Sequence, residues 1–167
     1  MVCATAVAAL AATPALAQEP KSPVFDEPTA AERARLRELL DVIRQADRVV
    51  ALPVVGAGTG LSLAWAVAEK PVTVPLESGR SLGRRLVRHD WDRMSVKACG
   101  FQPGVAFRFY DGTRSAQVLV CFGCGEMSLD GVDGPLGNKK MLDKADLEAW
   151  RRAAKKAFPK EDFSSLP

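Results

Sequence analysis

Apolar positions follow a helical period at the start of the chain and a strand period later. Leu36, Leu40 and Ile43, with Leu39 beside them, recur at helical spacing, while Arg33, Arg35, Arg37 and Glu38 fall on the opposite, water-facing side. Thr29 and Glu32 have capping-box spacing and Pro28 stops backward extension, so the pattern predicts a helix from there to about Ala46. Residues 49–55 form a β-branched strand run in which Pro53 points to a sheet edge or a bulge. Leu61, Leu63, Trp65 and Val67 alternate with small residues, a period that suits a strand although the alanines also tolerate a helix, and residues 71–75 are extended. A basic helix is expected to open at Ser78 or Ser81 and run to about Met94, with Leu82, Leu86 and Trp91 as its apolar members.

The strongest strand pattern runs from Gly104 to Glu126. Val105, Phe107 and Phe109 alternate with Ala106, Arg108 and Tyr110; Asp111-Gly112 is a hairpin turn; Ala116, Val118 and Val120 alternate on the return. Pairing parity puts those six apolar residues on one buried face. Residues 131–138 read as a glycine-rich loop. Asp143 caps a last helix with a stripe of Leu147, Trp150, Ala154 and Phe158, and Pro159 stops it. Phe163 and Leu166 are placed to fold back onto the core. The expected class is α+β: a small mixed or antiparallel sheet with a hairpin in the C-terminal half, packed by an N-terminal helix, the basic middle helix and the C-terminal helix.

Composition bounds this picture. The 167 residues suit a single domain, and 47% apolar with 26% charged residues is globular. Residues 2–12 are an uncharged, alanine-rich run, and Pro14 and Ala15-Leu16-Ala17 complete the features of a signal-peptidase site before Gln18. The run is too short and too rich in alanine for a transmembrane span. The expected organisation is a signal peptide over 1–17, a polar linker over 18–28 and one domain over 29–167, exported to the periplasm or secreted. A net charge of +3, from 23 basic and 20 acidic residues, gives no global field for nucleic acid, and none is expected as a partner.

Four groups of residues bear on chemistry. Residues 54–68, with Gly56, Gly58 and Gly60 and with Glu77 further on, imitate a dinucleotide-binding turn. Their GxGxG spacing is one residue short, Pro53 interrupts the strand, and the remaining chain has no room for a doubly wound sheet. The second group is Cys99, Cys121 and Cys124, which hairpin pairing brings together. An oxidising compartment makes a disulfide the default, Cys99 to Cys124 or alternatively Cys99 to Cys121, and closing that loop stabilises by roughly 3 kcal/mol in the chain-entropy model. The alternative is thiol-redox chemistry or a zinc site in which His89 joins the three cysteines. Redox catalysis, however, lacks a helix after Cys124 to lower a thiol pKa. Haem c attachment is excluded because Gly125 stands where a histidine is required. Third, Arg80, Arg84, Arg85 and Arg88 form a basic segment that suits an anionic envelope component or a protein partner, although its charges spread around the helix. Last, His89 is the only histidine, reads as a solvated side chain beside Asp90 and Asp92, and has no nucleophile elbow or second histidine with it. No catalytic residue and no cofactor are therefore assigned, and the expected function is a non-enzymatic accessory or binding protein.

Residues 97–127, with Cys99, Phe101, Pro103-Gly104 and Arg108-Phe109 followed by Leu119, Cys121-Phe122 and Cys124, resemble small exported bacterial proteins of uncharacterised function. Those proteins pair C-x-F-x-P-G-x-x-x-R-F with L-x-C-F-x-C and end in a short helix and Phe-Pro, as Phe158-Pro159 does here. The resemblance implies that the cysteines, Pro103, Arg108 and Phe122 belong to one local unit, and it brings no activity.

Overall fold

The computed structural model describes residues 28–55, 66–67, 70–91, 101–131 and 134–163. The proposed signal peptide, the linker up to Glu27, Gly56–Gly60 and Cys99 lie outside them. The first helix, α1 (Ala30–Gln45), opens with the expected capping box: the Thr29 hydroxyl accepts from the Glu32 amide while the Glu32 carboxylate accepts from the Thr29 amide. That amide, and next the Thr29 hydroxyl, hold the Glu32 carboxyl below its ordinary pKa. Leu36, Leu39, Val42 and Ile43 form the buried side of α1, with Leu40 partly buried at its margin.

The strands are β1 (Arg48–Val55), β2 (Ala66–Val67), β3 (Val72–Val74), β4 (Val105–Asp111), β5 (Arg114–Cys121), β6 (Glu126–Gly131) and β7 (Gly134–Met141). They form one antiparallel sheet in the order β2-β1-β4-β5-β6-β7, with β3 also paired to β1. The hairpin register is Val105↔Val120, Phe107↔Val118 and Phe109↔Ala116. The row continues into β6 through Met127 and Leu129 and into β1 through Ala51 and Val49. Helix α1 packs on β4 and β5, α2 (Leu76–Leu86) on β1, and α3 (Lys144–Ala157) beside β3, so all three cover that one face. The α+β class, the antiparallel sheet and the buried hairpin face stand as expected.

Three expectations need correction. Strand β1 lies inside the sheet, not at its edge, even though it contains Pro53. Val54 donates its amide to Gly104 on the β4 side, so strand alternation turns the Pro53 nitrogen to the other side. There the partner changes: β3 pairs up to Ala51 and β2 begins at Val54, so the missing N–H falls in the gap between them. Within 131–138, Gly131 ends β6 and residues 134–138 belong to β7, so the described part of this stretch is strand and not loop. Met127 and Leu129 give β6 its buried side, and β7 tolerates Pro135 because it is an edge strand with a register shift at Leu129/Asp130. The middle helix starts directly after Pro75, whose φ of −52° suits a helix start, and ends at Leu86 rather than near Met94. The Leu86 carbonyl then accepts from the His89 amide and from the Trp91 indole at 3.1 Å, which satisfies a helix-end acceptor.

The opposite face of the sheet carries a second buried cluster: Val50, Leu52, Val54, Phe101, Ala106, Leu119, Cys121 and Cys124. No helix among the described residues is long and apolar enough to cross a membrane.

Candidate functional site

A cleft opens between α2 and α3 over the outer edge of β3. Its position follows from how closely α2 approaches the sheet. A Cβ on Gly79 would stand 2.5 Å from the Val49 side chain, so glycine there lets the helix sit this deep, and one on Gly83 would press on Ile43 at 3.0 Å. Leu82 and Leu86 bury the same side, which leaves Glu77, Ser78, Ser81 and Arg85 along the wall that faces α3. On α3, Asp143 caps the first turn by accepting from the Asp146 amide at 2.7 Å. Trp150 and Ala154 face the core, and Ala149, Arg152, Ala153, Lys156 and Ala157 form the second wall. Residues 72–75 make the floor of a cavity of about 610 Å³.

The lining divides by chemistry. Val72, Val74, Leu82 and the three alanines are apolar, whereas Arg85, Arg152 and Lys156 set cations at the rim against the single carboxylate of Glu77. Glu77 pairs with Arg80 at 3.7 Å, and Arg85 is held by Asp146. Arg152 and Lys156 are exposed and have neither a hydrogen bond nor an ion pair among the described residues.

Asp146 joins the two helices. Its carboxylate, 9% exposed, accepts from Arg85 Nη1 at 2.6 Å and bonds His89 Nε2 at 3.0 Å. The N-terminal turn of α3 also favours a negative charge at this position. His89 is therefore not a solvated surface side chain: it is 16% exposed and docked on a buried carboxylate. It lines a smaller cavity of about 420 Å³ with Arg33, Leu36, Arg37, Leu40, Asp90 and Trp91, whereas Arg85 lines the larger cleft.

No family model, curated protein or solved structure matches the chain.

The residues singled out in the sequence are distributed as follows. Cys121 and Cys124 are both buried in the cluster on the sheet face opposite the helices, and no disulfide joins them to each other. They close the β5–β6 turn, where the Cys124 amide donates to Cys121 Sγ at 3.2 Å and Gly125 adopts φ +67°. His89 lies on the helical side, so it is not brought together with the two cysteines. Among the described residues, no group of three His, Cys, Asp or Glu side chains is placed to hold a metal ion. The basic segment divides: Arg84 and Arg88 are exposed, Arg80 reaches the Ala46 carbonyl at the end of α1 at 3.4 Å, and Arg85 turns to Asp146. The segment around the glycine turn is strand, connection, antiparallel strand, since β2 and β3 both run against β1. A dinucleotide site needs a parallel βαβ crossover there, which this topology does not supply.

Asp146, Arg152 and Lys156 were not legible as site residues. Arg152 and Lys156 do carry a signal: they flank Ala149, Ala153 and Ala157 on the α3 side next to the Trp150 stripe, a pairing of small residues with cations at one-turn spacing. Asp146 carries none beyond its place three residues after the cap.

Proposed function

We propose that the chain is an exported, non-enzymatic binding protein whose ligand occupies the cleft between α2 and α3. The observation that carries this reading is the cleft itself. At about 610 Å³ it has the size of a small-molecule site, with an apolar floor and a few polar groups converging at the rim. The alanine-rich segment that ends in Ala15-Leu16-Ala17 supports export. The non-enzymatic reading draws support from the cleft lining, which holds no imidazole, since the only histidine lines a different cavity.

Titration with the neutral fluorescent probe N-phenyl-1-naphthylamine tests it. Probe emission is expected to rise saturably with the native protein. Ala153→Trp, which places an indole in the cleft from a half-buried position on α3, is expected to weaken probe binding by about tenfold with an unchanged far-UV circular dichroism spectrum. Equal affinities for the two proteins, or no saturable binding to the native one, contradict the reading.

A further inference from the structure

We infer that the ligand of this cleft is a single-chain amphiphile with an anionic head, a carboxylate or a phosphate. The inference rests on the reading of the cleft as the ligand site and specifies what the site accepts.

The charges around the cleft do not balance. Four charged side chains line it: Arg85 is paired with the buried carboxylate of Asp146, and the exposed Glu77 makes a loose contact with Arg80 one turn along α2. Arg152 and Lys156 remain uncompensated among the described residues. They stand four residues apart on α3, about 6 Å between their Cβ atoms, so one head group can meet both. Like charges at this spacing disfavour a helix, and an anion between them removes that penalty. An oxyanion gains charge-assisted hydrogen bonds from the two cations, and the Ser78 and Ser81 hydroxyls on the facing wall supply neutral ones.

The rest of the lining specifies the tail. From Ala149 to Ala157 the α3 wall extends about 12 Å along the helix axis, and Ala149, Ala153 and Ala157 alternate along it with the two cations. Together with Leu82, Val72 and Val74 the alanines form an apolar trough that a free inorganic anion would leave unused. A peptide strand is a poorer occupant. The edge of β3 is three residues long, and because Val74 and Val72 face the β1 ladder, only the Thr73 backbone is directed outward.

A head-group series on one tail tests the inference: decanoate, decyl phosphate, decanol and decyltrimethylammonium, each titrated to displace the neutral probe. Decanoate or decyl phosphate is expected to displace it at least about tenfold more effectively than decanol, with the ammonium compound weakest. Whichever of the two acids binds more tightly identifies the head as carboxylate or phosphate. In Arg152→Gln/Lys156→Gln, the ratio of anion to alcohol affinity should fall close to one, and in the native protein it should shrink as salt rises. If decanol displaces the probe as well as the acids, the anionic inference is overturned while the cleft reading stands. If the probe itself does not bind the native protein, the cleft reading falls. Retention of the anion preference in the double variant shows that the head lies elsewhere and also overturns the inference.

Discussion

Trp150→Ala should lower the unfolding free energy by about 3–5 kcal/mol, the largest effect of any single truncation in this protein. Trp150 is fully buried, belongs to the main core and meets Phe107 edge-on with ring centroids 5.0 Å apart. Phe107 lies in the middle strand pair, so the contact fastens α3 to the sheet face that the other two helices also cover. Alanine would leave a void that neither the sheet nor α3 can collapse into. The indole N–H, by contrast, is buried without a hydrogen-bond partner among the described residues. An unsatisfied donor of this kind costs free energy in the folded state, so Trp150→Phe, which removes it and keeps a ring, should cost far less than alanine. Urea unfolding of the two variants checks the pair. Equal losses would mean that the ring contact with Phe107 is not what holds α3 in place.

The second large effect is expected at Asp146. Asp146→Ala removes the acceptor that Arg85 and His89 share, from a site where the carboxylate is 9% and the Arg85 side chain 32% exposed. Breaking a fully buried pair costs several kcal/mol, and the partial exposure of Arg85 reduces this to about 2–3 kcal/mol here. The same change removes the carboxylate from the first turn of α3, where the helix dipole favours it. Asp146→Asn keeps the shape and one acceptor oxygen, and should lose about half as much. Denaturant midpoints for the two variants measure this directly. A change in Asp146→Ala within the scatter of ordinary surface substitutions would show that the cluster does not join α2 to α3.

The elements legible in the sequence are those in which local pattern and tertiary environment agree. Thr29 with Glu32, Asp143, and the alternation through Phe107 and Val118 each mark an element on short-range grounds, and the sheet and helices then bury the residues that the pattern nominated. Strand β7 is hidden in the sequence because Gly134, Pro135 and Gly137 carry poor strand propensity. β7 forms because it completes the edge beside β6, whose own alternation of Met127 and Leu129 with Ser128 was the overlooked signal. Pro53 misled for a related reason. Its missing donor excludes a continuous ladder on both sides, yet the partner on one side changes from β3 to β2 at that position.

The candidate site was less legible than the fold. The basic character of the middle helix is visible in the sequence. Its division, with Arg85 on Asp146 and Arg80 at the end of α1, depends on which neighbours the folded chain supplies. His89 became a docked side chain because α3 brings Asp146 to it from 57 residues away, a distance no local pattern spans. The cleft likewise needs Gly79 to seat α2, and the sequence alone does not distinguish a close-packing glycine from a weak helix position.

Backbone amide shift mapping during titration with N-phenyl-1-naphthylamine tests most directly whether this cleft is the binding site. Saturable shifts concentrated on Thr73, Ser81, Leu82 and Ala153 are expected, from the floor and both walls of the cavity. Shifts concentrated instead on Val50, Leu119 and Cys121, across the sheet from the helices, would contradict it.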